Sequence, residues 1–173
     1  GCLLFSDEIE KYIPPRKGKK SALRILRDIL YCEPKSAKTN ISNAVEYIYR
    51  LIKKKSIIFI ISDFLDENFD ESLKLLAKKH DVIALRILDK AELILPNAGL
   101  LNLQDSETGD FFTVNSSSRV IREKYKKVAK QQELEIEARF KKMKIDLINL
   151  QTDRPYSIDL MKFFKFRLGL KNR

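Results

Sequence analysis

Five consecutive apolar residues, Ile57 to Ile61, end abruptly at Ser62 and Asp63. Because successive residues of a strand point to opposite faces, such a run suits a strand buried on both sides, as in the middle of a parallel sheet. "DVIALRIL" and "IDLINL" at 145–150 have the same character, and Leu3–Phe5 reads as a shorter buried strand. Between these runs the period changes to three and four. Ala22, Leu23, Leu26, Ile29 and Leu30 mark a helix over Lys19–Tyr31. Ile41, Ala44, Val45, Ile48 and Ile52 mark a second, preceded by the cap-type residues Thr39 and Asn40. Leu73, Leu76 and Ala77 place a third over Phe69–Lys79, with Asn68 available to cap it. From about Ser117 to Lys144 one long helix carries Ile121, Tyr125, Val128, Ile136, Phe140 and Met143 on a stripe broken only by Gln132. Tyr156–Leu168 closes the chain as another helix. Leu101–Leu103 and Phe111–Val114 are expected to pair as a hairpin around "DSETGD", whose Asp and Gly residues suit a turn. Ile9–Ile13 stops at Pro14–Pro15.

Strands alternating with helices predict an α/β fold built on an open, mostly parallel sheet in a single domain spanning 1–173. Ligands of such folds bind beyond the carboxyl ends of the strands. Four candidate strands end near a carboxylate there: Asp7, Asp63, Asp89 and Asp153, three of them preceded by Ser6, Ser62 or Thr152. Asp, Ser and Thr also gather at strand ends because they make turns and caps. Asp63 is set apart because Asn68 is at hand to cap the next helix. Hard oxygen ligands at such an edge suit Mg²⁺ or a similar cation.

Composition narrows the chemistry. The chain has one histidine, His80, which nearly excludes a histidine-based metal site or a catalytic triad. With five glycines and no Walker loop or nucleophile elbow, phosphate cradling by bare backbone is not expected. Cys2 and Cys32 lack metal-ligand spacing and read as small buried hydrophobes in a reduced, cytoplasmic setting. No run approaches the roughly 18 apolar residues of a membrane span, so no membrane contact is expected within this segment. The net charge of +10 invites a nucleic-acid reading, but the lysine clusters are scattered and lie beside helices with an apolar opposite face. A start on Gly1, with Leu3 already inside a strand, is expected of a piece of a longer protein.

Six segments occur in a characteristic order: "GCLLFSDEIEKYIPPRKGKK", "KTNISNAVEYI", "IIFIISDFLD", "LAKKHDVIALRILD", "ELILPNAGLLNLQDSETGD" and "TDRPYSIDLMKFFK". Together they resemble the uncharacterised bacterial family numbered fifty-eight among the domains of unknown function. Its members are similar to von Willebrand factor A domains and are often encoded beside MoxR-type AAA+ ATPases. The resemblance implies a three-layer, Rossmann-like sheet carrying a metal-ion-dependent adhesion site. That site uses an Asp-x-Ser-x-Ser loop, a Thr at a helix start and an Asp after a later strand. Thr39 in "KTNIS" and Asp63 in "IISDF" match the second and third parts, with Asp7 and Ser62 as neighbours behind them. No Asp-x-Ser-x-Ser occurs in these residues, and Asn40 stands where relatives commonly have Asp. The resemblance therefore implies that the first central strand is missing, that Leu3–Phe5 and Ile57–Ile61 flank its slot, and that Mg²⁺ binds tightly only in a longer parent.

Three functions compete. The first is a non-enzymatic protein-interaction module working with a MoxR-type ATPase, itself able to form a homodimer. The second is a metal-dependent nuclease or phosphotransfer enzyme using strand-end carboxylates. The third is nucleic-acid binding through the long helix, where residues 119–144 hold ten Lys or Arg against four Glu. It ranks last because the opposite face of that helix is needed for the core.

Overall fold

The structure is a computed structural model and describes residues 1–104 and 109–171. Its centre is a three-stranded parallel sheet in the order β3 (Ile57–Ser62), β4 (Asp81–Leu88), β7 (Asp146–Gln151). Ile57 pairs with Asp81 and Ser62 with Arg86, and Ile83 to Leu88 run alongside Asp146 to Gln151. The two faces follow from the alternation of the strands. On one, Ile60, Val82 and Ala84 are buried beneath α2 (Ile41–Leu51), α3 (Asp70–Lys79) and α5 (Arg119–Met143). On the other, Ile83, Leu85, Ile148 and Leu150 meet Leu160 and Phe163 of α6 (Tyr156–Lys171). Helices thus cover both faces of a parallel sheet, the α/β arrangement that the alternating pattern predicts.

Three aromatic rings fill the core on the first face. Phe64 lies 4.9 Å from Phe140 and 5.9 Å from Phe69, centroid to centroid, at angles near those favoured by ring quadrupoles. Phe64 adopts φ 59, a left-handed conformation that an aromatic residue rarely takes. The backbone turn drives its side chain inward directly after β3, and the burial of a whole ring offsets the local strain.

Several expectations need correction. Leu3–Phe5, expected as a parallel strand across an unfilled slot from β3, does not pair with β3, but its partner among the described residues is antiparallel. It lies in β1 (Cys2–Phe5), which pairs antiparallel with β2 (Ile9–Ile13) in a sheet of its own. The two runs are separated only by the short "SDE" turn, and a hairpin closes over so few residues at a smaller entropic cost than a crossover. Asn68 does not cap α3. It adopts φ 62, and the capping position falls to Phe69 with no side-chain hydrogen bond. Asp70 and Glu71 in the first turn serve the helix dipole instead. "KAEL", which the apolar pattern did not mark, is the one-turn helix α4 (Lys90–Leu93). The hairpin β5 (Leu100–Gln104) and β6 (Phe111–Asn115) pairs antiparallel as predicted, whereas most of its "DSETGD" turn falls on residues 105–108, outside the described residues.

The apolar stripe of α1 (Lys19–Leu30) faces outward. Its buried residue is Asp28, which holds Lys11 of β2 at 3.1 Å. Ser21 and Ile25 are half-buried on the same side as Asp28, and lysine and arginine side chains flank the apolar stripe. No helix among the described residues is long and apolar enough to cross a membrane.

Two outcomes follow from this packing. Among the described residues β3 pairs with β4 only, and Ile57, Phe59 and Ile61 are 63%, 44% and 60% exposed. An uncharged open edge of this kind recruits other strands. The 173-residue chain is therefore expected to self-associate by exchanging or pairing strands, as light scattering would register, and Phe59→Lys with Ile61→Lys should suppress it. A stable monomer of the unaltered chain would contradict the expectation.

His80 supplies the second. It is buried at the end of α3, and neither ring nitrogen makes a hydrogen bond. Burial, assisted by the charge of Lys79, holds its pKa below the ordinary value, with the Ile52 backbone pulling weakly the other way. The folded chain therefore resists protonation that the unfolded chain accepts. Stability contributed by the neutral ring is full above the ordinary histidine range and falls as pH drops through that range toward the depressed value. In urea titrations the midpoint of the unaltered chain should fall more steeply between pH 7.5 and 5, on the order of the ordinary histidine range, than that of His80→Leu. Parallel curves would show that His80 does not titrate differently on folding.

Candidate functional site

Three loops meet at the carboxyl end of β3. The first follows β1, where the buried Ser6 hydroxyl donates to Glu10 Oε1 at 2.7 Å and accepts from the Glu8 backbone N–H. That contact and the Lys35 backbone N–H hold the Glu10 carboxyl below the usual range. The second loop enters α2. Asn40 is the true N-cap, its Oδ1 accepting from Asn43 N–H at 2.9 Å. Thr39 lies one residue earlier, exposed, and does not cap the helix, contrary to the simplest reading of its position. The third loop follows β3, where Ser62 Oγ accepts from Phe64 N–H and Asp63 Oδ1 accepts from Leu65 N–H at 3.3 Å. A Ser turn and an Asp turn in succession reverse the chain.

Hydrogen bonds between the loops fix their mutual placement. Asn40 N–H donates to Ser6 O at 3.0 Å, and Asn43 Nδ2 donates to Asp7 O at 3.0 Å. Ile41 N–H donates to Asp66 Oδ2 at 2.7 Å, so a carboxylate 25 residues downstream satisfies an open amide of the first turn of α2. The structure thus gathers the loops bearing Asp7, Thr39, Ser62 and Asp63, while Thr39 and Asp63 keep their side chains exposed.

Beneath Asp63 lies a cation that sequence reasoning missed. Arg86 is buried in the middle of β4, and its Nε donates to the Asp63 carbonyl at 3.2 Å. Its Nη1 is buried without a hydrogen bond. Burial lowers its pKa, while the surrounding carboxylates of Glu133, Glu92, Asp63 and Glu137 pull the other way. The only advance signal was an arginine inside an otherwise apolar strand, a position where an unpaired charge is costly. Asp66 gave no local signal, because its partner lies on another loop.

The remaining strand-end carboxylates have structural work. Asp89 caps α4 in a capping box with Glu92, accepting from Ala91 N–H at 2.8 Å and from the Thr152 hydroxyl at 2.9 Å. The Ala91 amide first, and then Thr152, hold its carboxyl below the usual range. Asp153 is exposed beyond β7.

A hard divalent cation takes about six oxygen ligands. Thr39 and Asp63 offer two between them, and among the described residues no group of three or more His, Cys, Asp or Glu is placed to hold a metal ion. These residues alone do not fit a closed metal site. A surface cleft of about 630 Å³ lies elsewhere, at the opposite end of the sheet, against Ser56, Lys78, His80 and Asp81. His80 is thus remote from Asp63, at the amino end of β4 rather than beyond the carboxyl end of β3.

The chain is 28% identical over 160 residues to "Uncharacterized protein MAV169" of Mycobacterium avium, covering 90% of this chain and 93% of that protein. It is 26% identical over 172 residues to Mb1516 of Mycobacterium bovis and, equally, to Rv1480 of Mycobacterium tuberculosis. Those alignments cover 96% of this chain but 53% of each relative, so the chain spans about half the length of these longer proteins. No solved structure matches it significantly. The model of the family described as "Protein of unknown function DUF58" matches residues 1–135, and the chain belongs to that family.

Proposed function

We propose that the chain is a non-enzymatic protein-interaction module of von Willebrand factor A-like type, working with a MoxR-type AAA+ ATPase. Its docking edge is the meeting point of the three loops. Thr39 and Asp63 form part of a metal-ion-dependent adhesion site there, with Asp7 and Ser62 behind them. The remaining oxygens for Mg²⁺ come from an Asp-x-Ser-x-Ser loop outside these residues and from a carboxylate of the partner. One observation carries the reading: loops from distant parts of the sequence are tied by hydrogen bonds to backbone groups, yet two oxygen-bearing side chains are left exposed at their junction. A surface ordered in advance loses less entropy on binding than a loose one.

Binding of the purified ATPase, measured by calorimetry in Mg²⁺, should weaken about tenfold or more (about 1.4 kcal/mol) in Thr39→Ala and in Asp63→Ala. Circular dichroism would establish that both variants fold. Unchanged affinity in both would refute the docking edge.

The chain by itself should bind Mg²⁺ or Mn²⁺ only weakly, because two oxygens hold a hexacoordinate ion poorly. A direct titration yielding a dissociation constant of order micromolar (about −8 kcal/mol), abolished in Asp63→Ala, would show that the site is already complete.

A further inference from the structure

We infer that α1 is an interfacial helix that lies on an anionic lipid surface. The observation is an amphipathic helix turned inside out. Leu23, Leu26, Ile29 and Leu30 are 53%, 53%, 49% and 70% exposed, and Tyr31, just beyond the helix, is 81% exposed. With 3.6 residues per turn, the four helical residues share one side of the cylinder. Asp28 projects on the opposite side, where it is buried against Lys11, Arg24 and Arg27. The polar side is therefore anchored to the β1–β2 hairpin, and the apolar side points away from the body.

The charges around this stripe name its occupant. Lys20, Arg24 and Arg27 run along one flank, and Arg16, Lys17 and Lys19 gather at the amino end. Residues 11–38 hold nine Lys or Arg against Asp28 and Glu33, a net +7 within a chain of +10. An apolar stripe edged by long cationic side chains matches a bilayer interface. The leucines enter the boundary between headgroups and acyl chains, the cations reach lipid phosphates, and the Tyr31 ring sits at headgroup level. Other occupants fit less well. Nucleic acid would meet the cations but offers aliphatic leucines nothing to bury against, and base stacking needs aromatic faces that this helix lacks. A second copy would bring two patches of +7 together. No helix among the described residues is long and apolar enough to cross a membrane, but a helix lying in the interface needs no such length, so this proposal replaces the expectation that the segment meets no membrane.

The test is sedimentation of the whole chain with vesicles of phosphatidylcholine, with and without about one-quarter phosphatidylglycerol. Binding is expected to the anionic vesicles and to fall steeply as salt rises. Leu26→Ser with Leu30→Ser, and separately Lys19→Glu with Lys20→Glu, should each weaken it about tenfold or more while circular dichroism stays unchanged. In Tyr31→Trp, indole emission should shift to the blue on vesicle addition, since the chain has no tryptophan of its own. Binding that survives both double substitutions would place the contact elsewhere and overturn the proposal. So would failure to bind anionic vesicles. If that failure accompanies capture by RNA, by an acidic protein or by a second copy, and the capture is lost in Leu26→Ser with Leu30→Ser, the stripe belongs to that occupant instead.

Discussion

The inward turn of Phe64 is the contact on which the rest of the architecture depends. β3 has spent its apolar residues by Ile61, and the chain must then leave the sheet and reach α3. It does so through a left-handed Phe64, whose ring closes the cluster with Phe69 and Phe140 and so joins the β3 exit, the start of α3 and the last turns of α5. A residue at φ 59 costs on the order of 1–3 kcal/mol. Burying an aromatic ring in a packed core returns more than that, since deleting one typically costs about 3–5 kcal/mol. The abrupt end of the strand on Ser62 and Asp63 is the polar half of the same turn. Their side chains receive the amides of Phe64 and Leu65 while the ring goes inward.

That turn also decides what the carboxyl edge displays. With Phe64 pinned inside, Asp63 is left outside, and Asp66 is carried to the first turn of α2. Arg86 supports the turn from below through the Asp63 carbonyl, and its charge sits among four carboxylates at a distance rather than in a close ion pair. The candidate edge is thus an assembly of loops over a buried cation, tied by one backbone bond and by the side chains of Asn43 and Asp66. Such an arrangement fixes the edge in advance of binding, which suits a docking surface.

Charge is distributed with comparable economy at the opposite end of the sheet. Arg167 of α6 bridges Asp81 and Asp146, the first residues of β4 and β7, at 2.8 and 2.7 Å, and its cation stacks near Phe163. Both carboxylates raise the already high pKa of the guanidinium. The closing helix is therefore fastened to the sheet by charge at the sheet's amino end as well as by Leu160 and Phe163 over its face.

The sequence alone determined the alternation of elements, the parallel pairing of the three long apolar runs and the turn chemistry at their ends, because periodicity and side-chain type act locally. It also marked Ser62, Asp63 and Asp7 as neighbours of strand ends and Thr39 as a neighbour of a helix start, since element ends are visible in the pattern. Tertiary structure alone decided the rest. Leu3–Phe5 took Ile9–Ile13 as its antiparallel partner because a short turn brings the two runs together, which the apolar pattern by itself does not show. Asn40 displaced Thr39 as the cap, and Asp66 bridged to α2, because hydrogen-bond partners distant in sequence leave no local trace. The stripe of α1 is readable as apolar, but which side of a helix meets the body depended on one buried carboxylate and the lysine across from it.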